Sequence, residues 1–133
     1  MPTTRREKGF VYRLGRRTEK NCTPRIDRDT SGVPGLREPG LSARERLGRL
    51  VKGDVALKID LTLLAPPLQA FADDPTTAGE LGHVTITPVD SDGRVDEIAQ
   101  REWASTRADE KAAHRFTKMI FEAIVENVKG TRS

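Results

Sequence analysis

Apolar residues recur with two different periods along the chain. Residues 54–62 alternate, with Val55, Leu57, Ile59 and Leu61 on one side and Ala56, Lys58, Asp60 and Thr62 on the other. This period of two predicts a half-buried strand. Gly82 to Pro88 repeats the pattern, Val84 and Ile86 opposing His83, Thr85 and Thr87. Phe10 to Leu14 is aromatic and β-branched between Gly9 and Gly15, and reads as a short strand. Helical spacing appears in Val95, Ile98, Ala99 and Trp103, which places Trp103 in a core. It appears again in Phe116, Met119, Ile120, Ala123, Ile124 and Val128, predicting a last helix from about Asp109 to Val128.

The remaining segments are punctuated by breakers and caps. Ser42-Ala43-Arg44-Glu45 has the spacing of a capping box, with Leu47, Leu50 and Val51 behind it, so a short helix is expected to end near Lys52-Gly53. Pro66-Pro67 stops the strand before it, and Leu68 with Phe71 fits one helical turn ahead of Asp73-Asp74-Pro75. Thr18 to Gly40 carries prolines and glycines without a period, which describes a long loop. The expected fold class is α+β: a small two- or three-stranded, mainly antiparallel sheet packed on one face by two C-terminal helices, with a basic, loop-rich N-terminal segment.

Composition narrows the class without choosing a function. A chain of 133 residues with 35% hydrophobic residues and a mean hydropathy of −0.58 holds one small core with polar extensions. Cys22 is the single cysteine, which excludes an internal disulfide and a cysteine-based metal site and makes a reducing, cytoplasmic setting the expectation. Val55 to Phe71, the longest apolar stretch, contains Lys58, Asp60, Pro66 and Pro67 and does not suit a membrane span. Arginine outnumbers lysine 16 to 7, which hints at a GC-rich, bacterial genome and also suits phosphate recognition.

Charge divides the chain where composition does. A cut after Gly53 leaves 14 basic and 6 acidic residues before it, and 9 basic and 14 acidic after it. The hydrophobic residues divide 14 to 33 at the same point. Residues 1–53 therefore read as a basic arm with a short strand, a long Gly/Pro loop and a short helix, and residues 54–133 as the α+β core of one structural domain. The arm is suited to a polyanion or to the acidic half of its own chain.

Several constellations carry chemical potential. If the two alternating strands pair, Lys58, Asp60 and Thr62 share a face with His83, Thr85 and Thr87, and Arg13 lends a bidentate phosphate contact. The bland reading is a solvated polar face of a one-sided sheet. His83-Val84-Thr85-Ile86 resembles one element of the two-histidine phosphoesterases, in which His and Thr point together at a phosphate. That family has two such elements, and His114-Arg115-Phe116-Thr117 differs in spacing and falls on a predicted helix, so membership is not claimed. Arg5, Arg6, Lys8, Arg13, Arg16, Arg17 and Lys20, interleaved with Phe10 and Tyr12, form the mixture that binds single-stranded nucleic acid. Asp90-Ser91-Asp92-Gly93 reads as a capped turn rather than a calcium loop.

Two functions are consistent with these features. One is a small phosphate-directed protein that binds RNA or nucleotides or acts as a ribonuclease-like toxin without metal or cofactor. In it His83 is the general base, His114 the general acid, and Arg13, Arg16, Arg17, Lys58, Thr85 and Thr87 hold phosphate. The other is a noncatalytic interaction module whose basic arm orders on an acidic protein partner. Neither involves a membrane.

Overall fold

The computed structural model describes residues 3–24, 40–73, 82–108 and 114–130. Its strands are β1 (Thr3–Arg6), β2 (Phe10–Leu14), β3 (Leu41–Arg44), β4 (Val55–Asp60), β5 (Leu68–Asp73), β6 (His83–Pro88) and β7 (Ile124–Lys129). Every pairing is antiparallel, and the seven strands form one sheet in the order β1-β5-β6-β3-β2-β4-β7. Among the described residues two helices complete the architecture, α1 (Glu97–Ser105) and α2 (Arg115–Ala123).

The expectation of a two- or three-stranded sheet is therefore corrected to seven strands, because three segments read as other structure pair instead and Thr3–Arg6 of the basic arm pairs with β5 at the edge. Ser42-Ala43-Arg44 is part of β3, not the first turn of a helix. Leu41 and Ala43 face Ile86 and Val84, and a strand at this place joins β6 to β2 across the middle of the sheet. Leu68 to Phe71 belongs to β5, with Leu68, Ala70 and Ala72 buried, rather than to a helical turn. The last helix ends at Ala123, and Ile124 turns at once into β7, which pairs with β4. Ile124, Val125 and Val128 are β-branched and lose little by extending, and the ladder on β4 satisfies their backbone. Thr62 also leaves the predicted strand, since the Asp60 carboxylate accepts from its backbone N–H at 2.9 Å and starts a 3-10 turn at Leu61–Leu63.

The core lies on one side of the sheet. Val11, Leu41, Leu57, Ile59, Val84 and Ile86 pack with Trp103 of α1 and with Phe116, Ile120 and Ala123 of α2. Trp103 meets the edge of Phe116 at 5.6 Å between ring centroids. Three buried polar side chains of this side are joined. Trp103 Nε1 donates to Thr117 Oγ1 at 3.0 Å, Thr117 and Thr23 share a hydroxyl bond of 2.7 Å, and Thr23 donates to the Glu19 carbonyl. Segment 18–24, the described end of the expected long loop, is thereby fastened to the helices; residues 25–39 of that loop lie outside the described residues. Asp109, the expected start of the last helix, and Asp74 lie outside them too. Asp90 forms the predicted turn, its carboxylate accepting from the backbone N–H of Asp92 and Arg94. Among the described residues no helix is long and apolar enough to cross a membrane.

Candidate functional site

The face of the sheet opposite the core carries a transverse row of polar side chains. His83 of β6 stands directly across from Arg44 of β3, Arg44 from Tyr12 of β2, Tyr12 from Lys58 of β4, and Lys58 from Glu126 of β7. Directly opposite residues share a face, so these five side chains form one line over five strands. Phe10 and Leu14 flank Tyr12 on the same face, 46% and 65% exposed.

A crossover covers part of this row. β3 and β4 flank β2 and both run antiparallel to it, so they are parallel to each other and the chain from 45 to 54 must pass over β2. A groove of about 820 Å³ opens beneath it, with Tyr12, Leu14, Ser42 and Arg44 on the sheet wall and Arg46 to Leu50 on the crossover wall. The groove exists because β2 and β3 pair at Tyr12 and Arg44 only and then part. Both ends of the crossover are fixed. Glu45 donates its N–H to the Gly82 carbonyl and holds Arg6 at 2.7 Å, and Asp54 accepts from the Val51 N–H while its carbonyl takes the Gly130 N–H. Gly130 must be glycine there, since a Cβ would lie 1.8 Å from the Val51 carbonyl oxygen.

Arginine dominates the lining. Arg13, Arg16, Arg44, Arg46 and Arg49 border the groove against one carboxylate among the described residues, Asp54. Arg16, Arg46 and Arg49 are exposed, and among the described residues none of these three is in an ion pair. At the sheet end, Ser42 Oγ lies 2.6 Å from His83 Nε2, so the histidine stands behind a hydroxyl that lines the groove.

The predicted site residues separate into distinct environments. Lys58 and His83 share the face, but two strands stand between theirs, about 14 Å of sheet. Lys58 sits over the Phe10 ring, 4.3 Å from its centroid. Thr85 and Thr87 are on the same face yet 0% exposed, and Gln100 of α1 donates to Thr87. Arg16 lines the groove, whereas Arg17 stacks over Phe121 at 4.5 Å. Arg13 alternates to the core side and is 9% exposed. Its guanidinium donates to the Asn21 and Ser42 carbonyls and fills the gap where β2 and β3 part.

His114 is not brought to His83. It caps α2, its Nδ1 accepting from the Phe116 N–H at 3.1 Å and its ring packed 4.6 Å from that of Phe116. Burial, and after it the Arg115 charge, lowers its pKa below the usual 6.5, against an opposing pull from Glu102. Cys22 is buried in the core, which pushes its thiol up to about 11 despite the Arg13 and Arg17 charges, so it is no nucleophile at neutral pH. Among the described residues no group of three or more His, Cys, Asp or Glu side chains is placed to hold a metal.

Ser42, Arg44, Arg46 and Arg49 are not legible as site residues in the sequence, because the capping-box spacing of Ser42 to Glu45 predicts the start of a helix. The available signal was the in-out alternation of Leu41, Ser42, Ala43 and Arg44. No protein family, curated protein or solved structure matches the chain.

Proposed function

We propose that this protein is a phosphate-directed module that binds single-stranded RNA in the groove under the 45–54 crossover. The observation that carries the reading is the set of exposed arginines, Arg16, Arg46 and Arg49, gathered on one groove beside Tyr12. Guanidinium forks suit phosphate oxygens in a way a diffuse basic surface does not. Tyr12, on the groove wall, offers its ring to an unstacked base, which a duplex keeps hidden. The groove volume is that of a site for a small ligand, so it takes a nucleotide or two of a longer strand. A cytoplasmic setting belongs to the same proposal, since RNA is found there and Cys22 stays reduced.

The test is fluorescence anisotropy of a labelled oligouridylate across a salt series. The native protein binds, with log affinity falling as log salt rises. The double variant Arg46→Ala/Arg49→Ala weakens binding by about tenfold or more and lowers the salt slope by about 1 to 2, because each arginine neutralises roughly one phosphate. An unchanged slope removes the groove from the interface. If polyglutamate of equal charge binds as tightly as the RNA, the bases contribute nothing and a noncatalytic module for an acidic protein partner replaces this reading.

A further inference from the structure

We propose that Ser42 and His83 form a nucleophile and base pair that cleaves a phosphodiester held in the groove. The proposal rests on the groove reading for its substrate, and adds a reaction to it. Three placements carry it. Ser42 Oγ is 2.6 Å from His83 Nε2, within the reach that defines an activated hydroxyl. Ser42 lines the groove while His83 stands behind it on the neighbouring strand, so the hydroxyl is presented to a ligand and the imidazole to the hydroxyl. Arg44, directly across from His83, lines the same groove and places positive charge beside the reacting phosphorus. Both side chains stand on paired strands rather than on loops, which fixes their mutual geometry.

With Nδ1 carrying the ring proton, Nε2 accepts the Ser42 hydroxyl. Ser42 Oγ attacks phosphorus and the P–O bond to one ribose breaks. The Ser42 proton passes to Nε2 and from it to the departing ribose oxygen. The strand is then held as a phosphodiester on Ser42. Water attacks the same phosphorus, the P–Oγ bond breaks, and the water proton travels through Nε2 to Oγ. The products are one phosphorylated end and one hydroxyl end, with no redox change and His83 restored.

This differs from a ribonuclease that uses the substrate's own 2′-hydroxyl, and the difference is testable. The native protein is incubated with labelled oligouridylate and with its 2′-O-methyl analogue, and both binding and cleavage are followed. Cleavage of both strands is expected. Ser42→Ala is expected to lose about a thousandfold or more in cleavage rate while its affinity for RNA stays within about threefold, which also reports that it folds. His83→Ala behaves alike. Cleavage of RNA but not of the methylated strand overturns the serine step, as does cleavage by Ser42→Ala at the native rate. Retention of both strands without cleavage ends the catalytic proposal and leaves the binding reading standing. Failure of the native protein to retain either strand overturns both.

Discussion

The two sides of the sheet use the same residue types for opposite purposes. On the core side Arg13 is enclosed and spends its donors on the Asn21 and Ser42 carbonyls, and His114 gives its ring nitrogen to the first turn of α2. On the other side Arg16, Arg46 and Arg49 project from a groove wall, and His83 faces a serine hydroxyl. What separates them is the state of the hydrogen-bonding groups. Charge bonded to buried backbone is committed to the fold, whereas charge on an open, pinned groove is available to a ligand. Changes to groups bonded into the fold are therefore expected to move stability first, and changes to the exposed groove arginines to move RNA affinity with little effect on stability.

Arg13→Ala is expected to give the largest stability loss, about 3 kcal/mol in urea unfolding, because the Asn21 and Ser42 carbonyls lose a charged donor together. Arg13→Lys does not restore it, since one ammonium cannot reproduce a planar fork that reaches two acceptors. Arg46→Ala, on the groove, stays within about 0.5 kcal/mol of the native protein. Equal losses at positions 13 and 46 break the division between the sides.

That division was only half legible beforehand, for physical reasons that can be read residue by residue. Strands with one apolar and one polar face, at Val55 and Val84, declare themselves, and so does the amphipathic turn that buries Trp103. Leu41 to Arg44 carries both a strand alternation and a capping-box spacing, and local chemistry does not choose between them. A vacant place between β6 and β2 does. The apolar stripe of α2 continues in phase through Ile124 to Val128, yet pairing with β4 takes those residues, and tertiary structure overrides periodicity. Arg13 illustrates the same limit for the site. Its alternation with Val11 points inward, but nothing nearby in sequence announces that the carbonyls of Asn21 and Ser42 will receive it.

Thr117→Val tests the core side where no charge is involved. Valine keeps the shape but leaves Trp103 Nε1 and the Thr23 hydroxyl without their shared partner. An unfolding loss of about 2 kcal/mol is expected, with RNA affinity unchanged. Thr117→Ser, which restores the hydroxyl and removes only a methyl group, recovers most of the loss. A valine variant as stable as the native protein shows that this network does not hold segment 18–24 in place.

The smallest effect distinguishes the two histidines by pH. Folding lowers the His114 pKa below 6.5, so the unfolded chain takes up the proton first as the medium is acidified. The stability His114 contributes is complete above 6.5, falls as pH drops through the interval between 6.5 and the lower folded value, and levels off beneath it. Protonation also puts a hydrogen on the Nδ1 that accepts the Phe116 N–H, which weakens the cap as the charge appears. His114→Asn supplies an amide oxygen in the same role without titrating, so it retains neutral-pH stability and flattens part of the acid slope. His114→Ala flattens the slope and costs about 1 kcal/mol at neutral pH as well. Neither variant alters cleavage or RNA affinity, because α2 is capped on the core side and the groove opens on the other. A His114→Asn protein that binds normally but no longer cleaves would instead join the two histidines in one reaction and dissolve the distinction between the sides of the sheet.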